Sequence, residues 1–579
     1  MRSLLVAICA TFIATPAGAQ VAESPIIRYQ DRIHPQLGAA GMVASQNHLA
    51  SAVGAEILEA GGNAVDAAVA VGFSLAVTLP RAGNLGGGGF MIIHDAESGI
   101  DLAIDYREMA PRAATRDMYL DEDGDVDRTR ATFSHLASGV PGTVAGLFKA
   151  HTEFGRLPWK RVLQPAIQQA SEGVEMSYDL AQLLRMRKER MCRDEATCGY
   201  FYKPGGVPYE AGEIFKQEDL AASLERIAED GPDGFYKGKT AELIAAEMAR
   251  GGGLVDELSL AAYKPVVREP VRGTYRGYDI VTMPPPSSGG IHIIQMLNIL
   301  EHFPVAEMGA GSADNVHLLA EVARLAYADR SEHLGDPDYY DVPLDWLVSK
   351  AYAKELAATI DMEKARNSDD VKPGVAPRPE SPDTTHFSVM DAEGNVVAVT
   401  TTLNFSFGSA ISVAGAGFLL NNEMDDFVSK PGVPNAFGLL GGDANAIEAG
   451  KRPLSSMTPT FVLDDGQAWF ATGSPGGSRI ITTVLQMVVN MIDHDMNVAE
   501  ATLAPRMHHQ WYPDVLQLEE GFSPDTITLL RERGHELQDV RSTMGSLQSV
   551  AFKDGMFRGA ADTRRPNAAS SAPDKSRDQ

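Results

Sequence analysis

The chain of 579 residues carries 77 acidic against 50 basic side chains, a formal net charge of −27 at pH 7. That balance excludes nucleic acid and an anionic membrane surface as partners, since either requires a basic footprint. With 44% hydrophobic residues and no low-complexity linker, the length points to one large folded body rather than a string of independent units.

Residues 1–19 read as a secretory signal: Arg2, an apolar core over 4–15, then Ala17-Gly18-Ala19 ahead of Gln20. The apolar part is too short to span a bilayer. The most apolar later run, 64–79, carries Asp66 and reads as a buried helix. An exported protein with no membrane anchor is expected, periplasmic where the cell has an outer membrane and otherwise secreted. Cys9 leaves with the signal, so Cys192 and Cys198 remain. In an oxidising compartment a local disulfide on a surface loop is their natural use. Metal binding is the alternative, but no further ligands cluster nearby.

A helix over 52–60 ends at Gly61 and Gly62, and the 64–79 helix follows. The run NLGGGGF (84–90) then enters a strand at 91–94. A phosphate loop would need a Lys-Ser/Thr pair and a following helix, and has neither. Close backbone packing accounts better for the four glycines. The DYREMAP stretch (105–111) follows a second strand, and its Arg107, taken alone, is a solvated arginine. Residues 157–262 are mostly helical. MPPPSSGG (283–290) is a rigid loop opening a buried helix over 291–301, and Ser312 caps a long helix over 313–333. Residues 365–383 are polar and proline-rich, hence exposed, mobile and open to cleavage.

A β-hairpin begins abruptly at Thr384 and Thr385. Alternation over 386–390 and the β-branched run 396–402 read as half-buried strands, joined by a turn at 392–394 with Gly394 in the left-handed position. With Asp391 facing Asn395, this register sets Thr384 opposite Thr402, with Asn404 diagonally beyond. By spacing alone, a Thr-Thr pair is an ordinary sheet contact. Thr385 and His386 alternate faces, so at most one shares the Thr384 face. Further on, TGSPGGSR (472–479) links a strand to an apolar helix over 480–492, and a glycine turn at a helix start offers N–H groups to an anion. His508 and His509 are the most metal-like pair. Neighbours point apart and no glutamate completes a zincin pattern, so both read as hydrogen-bonded core histidines. The tail from about 564 to 579 is polar and expected to be disordered.

Seven blocks in order, NLGGGGFM, DYREMAP, MPPPSSGGIH, DTTHFSV, LLNNEMDDF, KRPLSSMTPT and TGSPGGSRI, carry a resemblance that runs from about Gly38 to Ala560. Through them the chain resembles the γ-glutamyltranspeptidases (γ-glutamyltransferases, glutathione hydrolases), which are N-terminal-nucleophile hydrolases. The resemblance implies an α+β fold, a four-layer αββα sandwich, made as one chain. Self-cleavage between Asp383 and Thr384 would yield a large subunit (20–383) and a small one (384–579) that remain together as a heterodimer. Thr384 would be the nucleophile and its freed α-amine the base, since such an amine titrates at about 7.7–8.0. Thr402 would bond the nucleophile, and Gly476 and Gly477 would hold the oxyanion. Arg107, Ser455 and Ser456 match the grip on the substrate α-carboxylate. Glu423 and Asp426, with Asn404, match the grip on the α-amine. His386 has no catalytic part, and no metal or organic cofactor is needed.

The implied reaction cleaves the γ-glutamyl amide of glutathione and related compounds. The acyl group passes to water or to an amino acid or dipeptide amine. Residues 430–442 resemble the family's lid, with Phe437 where bacterial relatives commonly have tyrosine, so a lid hydrogen bond through that hydroxyl is lost. One rival is a glutaryl-cephalosporin acylase of the same family, whose substrate has no α-amine for Glu423 and Asp426 to hold. Another is an uncut periplasmic binding protein, against which the intact Thr384, Thr402, Gly476 and Gly477 set argues.

Overall fold

The computed structural model describes residues 32–371, 384–430, 433, 442–539 and 542–574. The signal segment, Asp383 and Phe437 lie outside the described residues. Two seven-stranded antiparallel sheets stack face to face. In the first, the strand order is Ala569–Ser571, Gly41–Ser45, Thr384–Asp391, Val396–Thr402, Gly88–Asp95, Ile100–Tyr106 and Val266–Arg268. In the second it is Gln36–Gly38, Met556–Ala561, Gln548–Lys553, Gln467–Thr472, Thr460–Asp464, Tyr278–Thr282 and Val271–Tyr275.

The expected hairpin is at the centre of the first sheet. Thr384 pairs with Thr402, and the Asp391 N–H bonds the Asn395 carbonyl, as the turn chemistry requires. Both strands are buried on both faces rather than half-buried, because helices cover one side and the second sheet the other. Phe387, Val389, Val397 and Val399 point to the helical layer containing Ala64–Thr78 and Trp159–Glu172. Met390, Val396 and Ala398 pack in the other core, with Phe461 and Phe470 of the second sheet. That second core continues through the sheet to the helices Gly289–Leu300, Ala313–His333 and Arg479–Ile492. The result is the αββα order, each fully buried Val, Leu or Phe contributing about 1.5–3 kcal/mol.

Local chemistry explains the odd residues in these elements. Asp66, the acid in the apolar helix, closes a capping box with Asn63 and also accepts the Arg156 N–H. The glycine run packs backbone on backbone. A Cβ on Gly86 would sit 2.1 Å from the Leu419 carbonyl oxygen, and one on Gly87 2.1 Å from that of Thr402. Cys192 and Cys198 are joined in the expected disulfide, though not on a surface loop: Cys192 caps the helix Tyr178–Met191 and Cys198 lies within Glu195–Phe201, half-buried against Leu184 and Phe201.

Two further expectations need correction. Residues 564–574 are not disordered. Arg564 pairs with Glu519 and Asp562, Asn567 accepts the His48 N–H, and Ala569–Ser571 adds the edge strand beside Gly41–Ser45. Backbone ladder bonds and ion pairs hold this segment, and a composition poor in apolar residues does not register them. Residues 365–371 are likewise anchored: Ser368 is buried, and its hydroxyl donates to the Trp511 carbonyl at 2.7 Å.

Candidate active site

One cleft, enclosing about 360 Å³ with its mouth included, is lined by Thr384, Thr402, Asn404, Arg107, Glu423, Asp426, Ser455, Ser456 and Gly477, residues that the sequence separates by up to 370 positions. Each element delivers its residues for a physical reason. Thr384 starts a central strand and is only 6% exposed, its neighbour Thr402 ending the partner strand. Past that end the chain turns through Asn404, in the left-handed region at φ 74°. The Asn404 N–H donates to Thr402 Oγ at 2.8 Å, and its side-chain amide donates to the Asn422 carbonyl at 2.9 Å. The acidic stretch Glu423–Asp426 is thereby tied to the Thr384 hairpin. Asn421 locks it to the glycine run, donating to the carbonyls of Gly86 and Gly139 at 2.9 Å each.

The serine pair is braced by the proline loop, read from sequence as scaffold. The Ser455 N–H donates to the Pro286 carbonyl, and the Ser288 N–H and hydroxyl both donate to the Ser455 carbonyl at 2.8 Å. The sequence reading missed Arg330, in the last turn of Ala313–His333. Its Nε donates to Ser288 Oγ at 2.9 Å and a terminal nitrogen to Ser456 Oγ at 3.2 Å, and it lines the same cleft. Nothing in its local sequence sets it apart from an ordinary basic residue at a helix C-terminus.

Opposite lies the Gly476-Gly477 turn, at φ 141° and 56°. The turn's own bonds run from the N–H of Arg479 and Ile480 back to the Gly476 and Gly477 carbonyls. Among the described residues, neither glycine N–H takes part in them. Gly477 and Ser478 line the cleft.

Charge is concentrated at one end. Arg107 is 1% exposed, with its terminal nitrogens on Glu423 and Asp426 and its Nε donating to the Pro453 carbonyl at 3.2 Å. Burial works against its charge, but Glu423, Asp426 and Glu108 more than offset this and hold the guanidinium firmly protonated. Burial likewise pushes the Glu423 and Asp426 carboxyls up, with Arg107 pulling the other way.

The histidines read as structural are so placed. His386 shares the Thr384 face but bonds Thr400 at 2.8 Å and Ser388 at 2.9 Å, and burial lowers its pKa to about 3, so it is neutral. His508 bonds Thr482 and Gln510, and His509 bonds Asp514. Among the described residues one group could offer ligands to a metal, His317, Glu321 and His535. There the two rings bond each other at 2.7 Å, His317 also bonds the Asp361 carbonyl, Glu321 is held by Arg324, and none lines the cleft.

Residues 50–572 match the family model described as gamma-glutamyltranspeptidase. The chain belongs to that family. It is 54% identical over 553 residues, 95% of each chain, to the glutathione hydrolase proenzyme of Escherichia coli K12. It is also 41% identical over 534 residues, 91% of this chain and 92% of the relative, to the acylase ACY 1 proenzyme of Pseudomonas sp. SE83. Among solved structures, the cephalosporin acylase from Bacillus halodurans superposes with a TM-score of 0.84 at 26% identity, covering 96% of this chain and 99% of that one. The two-sheet fold is thus shared by transpeptidases and acylases, and the choice between them falls to the residues of the cleft. In this chain they include two acids, Glu423 and Asp426, both bonded to Arg107.

Among the described residues no helix is long and apolar enough to cross a membrane.

Proposed function

We propose that the protein is an exported, self-processing γ-glutamyltransferase and glutathione hydrolase. The supporting observation is the cleft itself, whose lining brings Thr384 together with the oppositely charged Arg107, Glu423 and Asp426. In the intact chain the Thr384 hydroxyl attacks the Asp383 carbonyl, the acyl group moves from nitrogen to oxygen, and water hydrolyses the ester. Thr384 then carries a free α-amine. That amine takes the hydroxyl proton as Thr384 attacks the γ-glutamyl carbonyl, and returns a proton to the departing amine. The N–H groups of Gly476 and Gly477 receive the oxyanion. Because Thr402 Oγ accepts from the Asn404 N–H, its own proton is directed elsewhere, and the register puts Thr384 opposite. Water, or an amino acid or dipeptide amine, resolves the acyl-enzyme.

Arg107, Ser455 and Ser456, with Arg330 behind Ser456, receive the α-carboxylate. Asn404, Glu423 and Asp426 receive the α-ammonium. The likeness to acylases favours a glutaryl amide as the other substrate class, but glutaryl has no ammonium to satisfy the acids. The test compares glutathione with a glutaryl amide in the wild type and in a Glu423→Ala, Asp426→Ala double variant. Glutathione is expected to be the better wild-type substrate, and the double variant to lose about 100-fold in kcat/KM on it, from about 3 kcal/mol for a charged hydrogen bond. Full glutathione activity in the double variant would remove the amine grip from the account.

A further inference from the structure

The scheme above uses two acids and leaves a third without a role. Glu108 directly follows Arg107 and is fully buried. Its Oε2 lies 3.9 Å from Arg107 Nη1, beyond hydrogen-bond range, and among the described residues neither of its oxygens has an N–H or O–H donor. The fold makes room for it, since a Cβ on Gly88 would stand 2.6 Å from Oε2. Facing Glu108 are Arg107, Glu423, Asp426 and the buried phenols of Tyr106, Tyr236 and Tyr263.

Glu423 stands between the other two acids. It meets Glu108 at the same Arg107 nitrogen, Nη1, with its Oε1 bonded there and Glu108 Oε2 at 3.9 Å, while Asp426 takes the other terminal nitrogen; Glu423 Oε2 has no donor among the described residues. Arg330 acts on the Asp426 side. Three carboxylates therefore meet two guanidiniums, with Glu108 and Glu423 buried and the Asp426 side chain 12% exposed at the cleft. Ionised carboxylates only accept, so two in contact repel unless one carries a proton, as in paired-carboxyl sites generally. Burial raises all three carboxyls, and Glu423 is raised well above its ordinary value.

We propose that Glu423 works as a neutral carboxylic acid whose O–H is donated to Glu108, and that Glu108 is the positioning residue that keeps it protonated. This rests on the reading of the cleft as a γ-glutamyl site. Asp426 alone then opposes the substrate ammonium with full charge, and Glu423 accepts from it through Oε1. The fixed charges of Arg107, Arg330, Glu108 and Asp426 cancel. The pocket is matched to a head of zero net charge, an ammonium with a carboxylate, and mismatched to the net negative head of a glutaryl group.

The test is infrared difference spectroscopy of the processed enzyme at pH 7, wild type minus Glu423→Gln, in H2O and D2O. A protonated-carboxyl C=O band that shifts on deuteration is expected; a lost carboxylate band in its place overturns the proposal. In Glu108→Gln, which removes the acceptor charge, the band should titrate away at lower pH than in wild type. A Glu108 that merely fills space would leave that titration unmoved, and this result too counts against the proposal. Should Glu423→Gln fail to process, the same band is read in wild type as the difference between free and L-glutamate-bound enzyme. Glutamate binding without any carboxyl band overturns the neutral acid and leaves the cleft reading intact. Failure to bind glutamate overturns both.

Discussion

Arg107 carries more of this site than its place in the sequence reveals. Its planar fork reaches Glu423 and Asp426 together while Nε holds the Pro453 carbonyl, three directions that a lysine ammonium cannot serve at once. Arg107→Lys is expected to raise KM for γ-glutamyl substrates about 10- to 100-fold, from about 1.4–3 kcal/mol of lost charged hydrogen bonding, with a smaller change in kcat. Steady-state kinetics checks this, and an unchanged KM would remove Arg107 from the carboxylate grip. At this scale legibility was uneven. Thr384 and Thr402 could be paired from turn chemistry alone, because a two-residue period leaves little freedom once the loop is known. Arg330 and Glu108 could not be found, since one looks like a helix-end cation and the other like a companion of Arg107. Only their burial in the fold distinguishes them, Arg330 on the cleft wall and Glu108 beside Arg107.

The elements that present these residues are held by backbone geometry. Gly477 sits at φ 56° where the Thr460–Thr472 hairpin hands over to the helix Arg479–Ile492. An L residue there costs about 1–2 kcal/mol and tilts the N–H groups proposed to receive the oxyanion. Gly477→Ala is therefore expected to lower kcat by about 10-fold or more while moving KM little, since the oxyanion forms only in the transition state. A change confined to KM would contradict that role. Strand and helix positions were readable from periodicity and caps, down to Ser312 at the start of Ala313–His333. Periodicity did not reveal the burial of the hairpin on both faces, because a second sheet gathered from strands between Gln36 and Ala561 supplies the other half of its environment. It also did not reveal the order of residues 564–574, which depends on pairing with residues near the N-terminus.

For the whole molecule, the proposed cut comes directly before a central strand of a continuous sheet. The Thr384–Asp391 strand is paired on one side with Gly41–Ser45, and its hairpin partner Val396–Thr402 is paired with Gly88–Asp95. Residues of the small subunit are thus interleaved with strands of the large one, so the two chains should co-elute after cleavage and separate only in denaturant. The core also carries an acid liability. His292, His386 and His508 are fully buried, and burial lowers each to about 3. Between the unfolded value of about 6.5 and about 3, the unfolded chain binds protons that the folded one refuses. Stability is therefore fully present above about pH 6.5 and falls by about 1.4 kcal/mol per pH unit for each histidine as the solution is acidified. The onset of thermal unfolding should drop steeply between pH 6.5 and 4.5, and a flat profile there would mean that these rings accept protons in the fold.

The central claim is that Thr384 becomes a chain terminus and acts through its own amine. The intact mass of the purified protein, with N-terminal sequencing of each chain, tests it most directly. The account predicts two chains, the smaller beginning at Thr384, and a Thr384→Ala variant that stays whole and inactive. A single uncut chain that turns over γ-glutamyl compounds would contradict it.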